Sequence, residues 1–260
     1  VSVAITHDAR LVATALLMRR ALEYASMFNM PVIDHCEDQS IKGDGVAHEG
    51  AVAAMLGLKG MPGAAESVMV ERDIAMAELT GGHVHIAHMS ARQSLRAVRA
   101  GKERGIRVTA EVTPHHFVLT DEALARHGGY DTNTKMNPPL REEADRAAMI
   151  EGLRDGSIDV IATDHAPHHA DQKALEFDRA PFGIVRLESA LSGILRAVLR
   201  ELPPPTTVVV DRQIDARQKR SAVIAIAEKG VLENAHNDSG IPFDEKRGGL
   251  GLAIPLARRI

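Results

Sequence analysis

Residues 83–113 read HVHIAHMSARQSLRAVRAGKERGIRVTAEVT, and this stretch decides the fold. The outer pieces, HVHIAHMS and IRVTAEVT, are short, apolar and rich in β-formers. RQSLRAVRAGKERG between them has helical composition and closes on glycine. Strand, helix and strand in that order form a βαβ unit, which joins two parallel strands. The same alternation runs outward in both directions. VSVAI, PVIDH and IDVIAT are further strand candidates. In HDARLVATALLMRRALEYASMF, Leu17, Met18, Ala21, Leu22, Ala25 and Phe28 fall on one helical face. Val70, Ile74 and Ala77 mark a helix stopped at TGG, and REEADRAAMIEGLRDG opens acidic and closes on glycine. Leu187, Ala190, Leu191, Ile194, Leu195, Val198 and Leu199 give the clearest helical period.

Five strands alternating with helices predict an α/β fold with a parallel sheet. The strands read as apolar on both faces, which suits a sheet covered by helices. A doubly wound sheet and part of a (β/α)8 barrel both meet this pattern. LPPPTT at 202–207 is a linker, so the expected division is 1–202 and 203–260.

Composition narrows the function classes. The 260 residues are 45% hydrophobic and 25% charged, as in ordinary globular protein. A net charge of −4 gives no electrostatic reason to expect nucleic acid or an anionic membrane as partner. The one cysteine, Cys36, excludes an internal disulfide and suits a reducing cytoplasm. No apolar run is long enough to span a bilayer, and the first residues lack the regions of a signal peptide. Val1 leads directly into a strand, which reads as the start of a fragment.

Titratable groups collect where strands end: Asp8 after VSVAI, His35 after PVID, His88 after HVHIA and Asp164 after VIAT. Strand C-termini of parallel α/β folds face the active site, so these four are expected to converge. Imidazoles and carboxylates together suit zinc, which takes three protein ligands at catalytic sites and leaves a position for water.

The motifs VIDHCED, HIAHMS, VTAEVTPHHFVLTDE, TKMNPPLR, IDVIATDHAPH and APFGIVRLESAL closely resemble dihydroorotases of the aspartate-bridged class, over about residues 1–200. The resemblance implies the amidohydrolase superfamily, a (β/α)8 TIM-barrel-type metal-dependent hydrolase. It also implies interconversion of N-carbamoyl-aspartate and dihydroorotate in pyrimidine biosynthesis, a small-molecule substrate and a zinc cofactor. Asp8 then matches the bridging carboxylate, and His35 and His88 the histidines on one metal. Asp164 matches the residue that ligates the other metal and shuttles the proton. Asn137, His168 and the backbone at Phe182–Gly183 match substrate-holding positions. His165 and His169 are expected to support the loop.

Other histidines read as structural: His83 and His85 on one strand face, and His115 and His116 after a strand. Cys36 reads as a small packed residue. His7 stands where the family carries a second aspartate, Ala9 and Arg186 where it carries glycine. The family's H-x-H-x-R strand is absent, so the expectation is a barrel truncated to its last five βα units. Such a chain would hold one tight zinc and be nearly inactive alone. The tail segments LENA, NDSGIP and RGGLGLAIPLARRI resemble compressed ATP-binding boxes of sensor histidine kinases. Three alternatives stand beside the hydrolase reading: an allantoinase or hydantoinase, a non-catalytic dihydroorotase-like protein supporting an active partner chain, and a nucleotide binder. A homo-oligomer or association with a related chain is the expected partner state.

Overall fold

The computed structural model describes residues 4–7, 12–185, 207–213 and 221–227, the last two ranges as backbone. The helix read over 187–199, Arg186 and most of the tail lie outside these residues. The chain runs through β1 (Ile5–His7), α1 (Ala15–Ser26) and β2 (Pro31–Asp34). Thr14 caps α1, its hydroxyl oxygen accepting the Leu17 N–H at 3.2 Å. An excursion follows: α2 (Gln39–Lys42), β3 (Ala47–His48), α3 (Ala51–Leu56) and β4 (Gly60–Met61). The chain then re-enters the main layer with α4 (Ala64–Thr80), β5 (His83–Ile86), α5 (Arg92–Glu103), β6 (Val108–Val112) and α6 (Pro114–Val118). Two 3-10 turns lead to α7 (Glu143–Arg154), β7 (Val160–Ala162) and α8 (Ala170–Lys173). Two further strands follow, β8 (Thr207–Gln213) and β9 (Ser221–Ala227).

The main sheet has the order β1-β2-β5-β6-β7-β9-β8. Its first five strands are parallel and sequential. Right-handed crossovers between sequential parallel neighbours put every connecting helix on the same face. A doubly wound sheet needs a reversal of strand order, and none occurs among these five strands. The architecture is therefore of the barrel type. β9 pairs with β7 antiparallel, and β8 with β9, so strands beyond residue 203 extend the same sheet.

The faces of the sheet differ, unlike the expectation of two apolar faces. Val32, Val84, Ile86, Val108, Ala110 and Val112 pack against Met18 and Leu22 of α1, Val70 and Ile74 of α4, Leu95 of α5 and Met149 of α7. The opposite face carries Ile33, His85 and Thr109 in register, with His83 and Glu111 beside them. In a barrel this inner face is lined by the strands themselves, so polar residues there can satisfy one another. A second core, with Ala47, Leu124, Met136, Leu140, Phe177 and Ile184, ties the excursion to the loops at the C-terminal ends of the strands. Among the described residues no helix is long and apolar enough to cross a membrane.

Candidate metal and substrate site

His35 follows β2 directly and His88 stands two residues after β5. Both are buried, with His35 Nδ1 3.0 Å from His88 Nε2 and the rings edge to face at 72°. Two imidazole nitrogens on one tetrahedral zinc, at 2.0–2.1 Å each, lie about 3.3 Å apart. The pair therefore has the separation and donor chemistry to share a cation. His35 Nε2 faces Glu37 Oε2 at 3.7 Å. A carboxylate behind a ligating imidazole fixes the tautomer and leaves the other nitrogen's lone pair for metal. Burial pushes the Glu37 carboxyl up, but hydrogen bonds from His35 and Lys42 outweigh it and hold the group down at about 2. Glu37 is thus a fixed anion, gripped by Lys42 Nζ at 2.8 Å and by Gln39. Asp8, expected as the third ligand, lies outside the described residues, as does the side chain of His7.

The backbone at two expected site positions is left-handed. His88 has φ 30° and Asp164 has φ 39°. Non-glycine residues there are strained, and such strain concentrates where a side chain must be aimed. The His88 N–H donates to Glu111 Oε1 at 3.2 Å, while Glu111 Oε2 is 3.2 Å from His85 Nε2. Burial pushes the Glu111 carboxyl up, and the His85 hydrogen bond and the His85 and His88 charges pull it below its usual range. Asp164 follows β7 and is partly exposed.

Asn137 Nδ2 lies 3.4 Å from His35 Nε2, and its buried Oδ1 has no hydrogen-bond partner. A buried acceptor left open beside two imidazoles is suited to a ligand N–H. His168 donates through Nε2 to the Phe182 carbonyl at 2.8 Å. Gly183 has φ 151°, and a Cβ there would sit 2.4 Å from the Ala166 carbonyl oxygen. Glycine alone fits. Lys135 joins these two groups. Its Nζ donates to the carbonyls of Phe177, Asp178 and Ala180 at 2.6, 3.1 and 2.8 Å, and its own carbonyl accepts the Gly183 N–H at 2.9 Å. Lys173 Nζ grips the carbonyls of Pro181 and Gly183. The structure thus places His35, His88 and Asn137 together, and His168, Phe182 and Gly183 together, with Lys135 between.

Glu37, Glu111 and Lys135 were not singled out in the sequence. Glu37 and Lys135 each sit two residues from a site residue inside quoted motifs, which was the available signal. Of the remaining histidines, His83 and His85 both bond the Thr109 hydroxyl, at 2.9 and 2.8 Å. His116 lies between the Thr113 hydroxyl at 2.7 Å and the Pro138 carbonyl at 3.0 Å. His165 pairs by a β-bridge with Ile184, and His169 caps α8. Cys36 is buried, its Sγ 3.3 Å from Asp73 Oδ2. Asp34, Cys36 and Asp73 form a buried cluster of metal-ligating types. Arg72 already donates to both carboxylates there, so the charge a cation would supply is present.

The Dihydro-orotase-like family matches residues 1–94. The dihydroorotase of Pelotomaculum thermopropionicum is 60% identical over 190 residues, 73% of this chain and 44% of that protein. The chain is dihydroorotase-like. A second dihydroorotase, from Geotalea daltonii, is 47% identical over 242 residues, covering 93% of this chain and 54% of that protein, so this likeness runs past residue 203. The dihydroorotase-like chain spans about half the length of the curated relatives it matches. Among solved structures, dihydropyrimidinase from Brevibacillus agri superposes with a TM-score of 0.65 at 22% identity, over 78% of this chain and 46% of its own. D-Hydantoinase from Bacillus sp. AR9 gives 0.66 at 21%, over 78% and 48%. The fold is that of the TIM-barrel amidohydrolases, with five successive parallel strands in the described residues.

Proposed function

We propose that this chain carries the metal-binding and substrate-holding half of a dihydroorotase site, which opens or closes the cyclic amide of dihydroorotate. The observation that carries the reading is the 3.0 Å approach of His35 Nδ1 to His88 Nε2 beside the open Asn137 oxygen. Asp8, His35 and His88 would hold one zinc, and Asp164 would reach a second. When bound, zinc supplies Lewis acidity toward the amide carbonyl and toward water. Asp164 then takes a proton from the attacking water and returns it to the ring nitrogen as the C–N bond breaks. Asn137 receives the substrate's N–H, and His168 holds the Phe182–Gly183 backbone against the substrate. The proposed boundaries are a barrel unit at 1–202 and a tail at 203–260. A cytoplasmic setting, a small-molecule substrate and self-association or pairing with a related chain go with this reading.

The test is metal content and turnover of the full chain. One zinc per chain is expected, lost in His88→Ala. A second ion would have only Asp8 and Asp164 among the proposed ligands, so hydrolysis of dihydroorotate by this chain should run several powers of ten below ordinary enzyme rates. Absence of zinc after equilibration with excess metal would sink the site. Faster turnover of hydantoin than of dihydroorotate would move the substrate to the hydantoinase class.

A further inference from the structure

Four residues, His48, Met61, Glu66 and Ser90, meet on one buried guanidinium. Arg141 is 4% exposed and stands four residues after Asn137. Its Nε donates to Ser90 Oγ at 3.0 Å, and its Nη1 donates to the Met61 carbonyl at 2.8 Å. Nη1 also lies 3.2 Å from His48 Nδ1, and Nη2 lies 3.7 Å from Glu66 Oε2. Glu66, in the first turn of α4, accepts the N–H groups of Ser90 and Ala91, each at 3.0 Å, and the Ser90 hydroxyl. Ser90 stands two residues after His88. Its hydroxyl donates to Glu66 and accepts from Arg141, so one oxygen sits between the two charges.

The same cluster grips the Asn137 side. The Arg141 carbonyl accepts the Asp121 N–H at 2.8 Å, and His116 Nε2 reaches the carbonyl of Pro138 at 3.0 Å. Asp145 Oδ1 accepts the Arg92 N–H at 2.8 Å, so two carboxylates from other helices close the start of α5, which has no capping side chain of its own. A buried ion pair is a poor source of stability, because desolvation offsets most of its attraction. What a guanidinium fork supplies instead is fixed direction to several partners at once.

We infer that Arg141 is a positioning residue that sets the His88 loop against the Asn137 loop. The metal-side imidazole and the substrate-side amide then keep one relative placement. The inference rests on the proposed roles of His88 and Asn137. Through Ser90 and Glu66, Arg141 holds the segment that gives His88 its left-handed backbone. Through its own chain it fixes the segment carrying Asn137.

Two variants of the full chain test this. Ser90→Ala keeps the Glu66–Arg141 ion pair but removes the shared oxygen. The double variant Arg141→Met with Glu66→Gln removes both charges together and leaves no lone buried ion. The first readout is amide hydrogen exchange of the metal-free protein over 86–91 and 136–141. Both segments should exchange about tenfold faster in each variant, while α1 keeps its rate. The second readout is cobalt(II) titration followed by visible absorption. Affinity should fall about tenfold, with an altered band shape that a merely structural role would not produce. Folded variants with wild-type exchange in both segments, or exchange altered in one alone, would overturn the inference. So would an unchanged cobalt spectrum where the wild-type chain binds cobalt. A wild-type chain that takes up no cobalt would instead remove the metal reading, and exchange alone would then decide the coupling.

Discussion

His83 shows how one residue on the inner face is held neutral. Burial lowers its pKa to about 4, with the Arg107 charge adding to the effect, while Nε2 bonds the Thr109 hydroxyl at 2.9 Å. The unfolded chain protonates this ring near pH 6.5, before the folded chain does. Stability from this group is therefore complete above about 6.5 and falls as pH drops toward 4, by up to ~1.4 kcal/mol per pH unit. His83→Gln keeps a hydrogen-bonding group but does not titrate. The difference in unfolding free energy between the two proteins, from urea titrations at several pH values, should show that slope. A difference independent of pH would mean that His83 is solvated. The pattern of strand ends put His35, His88 and Asp164 just after strands in the sequence, and the structure has them after β2, β5 and β7. Glu37 and Glu111 were harder to see. Glu37 meets His35 two residues away, but a carboxylate near a histidine in sequence is common. Glu111 meets His85 and the His88 N–H across the sheet, which leaves no mark on its own spacing.

At the scale of elements, all five parallel strands were legible, since each main-sheet strand is a short apolar run set between helical patterns. The excursion from α2 to β4 was not, because its pieces are too short for any period to register. Helix α1 illustrates the limit of periodicity itself. Its expected face included Leu17 and Phe28, yet these are 48% and 56% exposed, whereas Met18, Leu22 and Ala25 are wholly buried. Leu16, Tyr24 and Met27 widen the uncovered apolar surface. Periodicity reports which residues are apolar, and only packing reports how many of them the neighbours reach. Leu22→Ala should therefore cost about 2–5 kcal/mol. Leu17→Ala should stay within about 0.5 kcal/mol. Denaturant titration separates the two, and comparable losses would mean that Leu17 is covered in solution.

For the whole molecule, the barrel-type layer and the loops above it are two bodies of packing joined through polar contacts. A contact inside the loop body offers a way to time the opening of the second core. Lys135 is 2% exposed, and its ammonium directs one hydrogen to each of three carbonyls, so it has no donor left and burial lowers its pKa. An acylating reagent needs a free, deprotonated amine. Surface lysines such as Lys59, 72% exposed at its side chain, should be modified without any unfolding. Lys135 should wait until the second core comes apart. Pulsed acylation with peptide mapping should give a Lys135 rate that tracks unfolding as urea is raised. A Lys135 rate insensitive to urea and equal to that of Lys59 would refute the cradle. This amine, with no solvent contact of its own, then serves as a chemical clock for the life of the folded state.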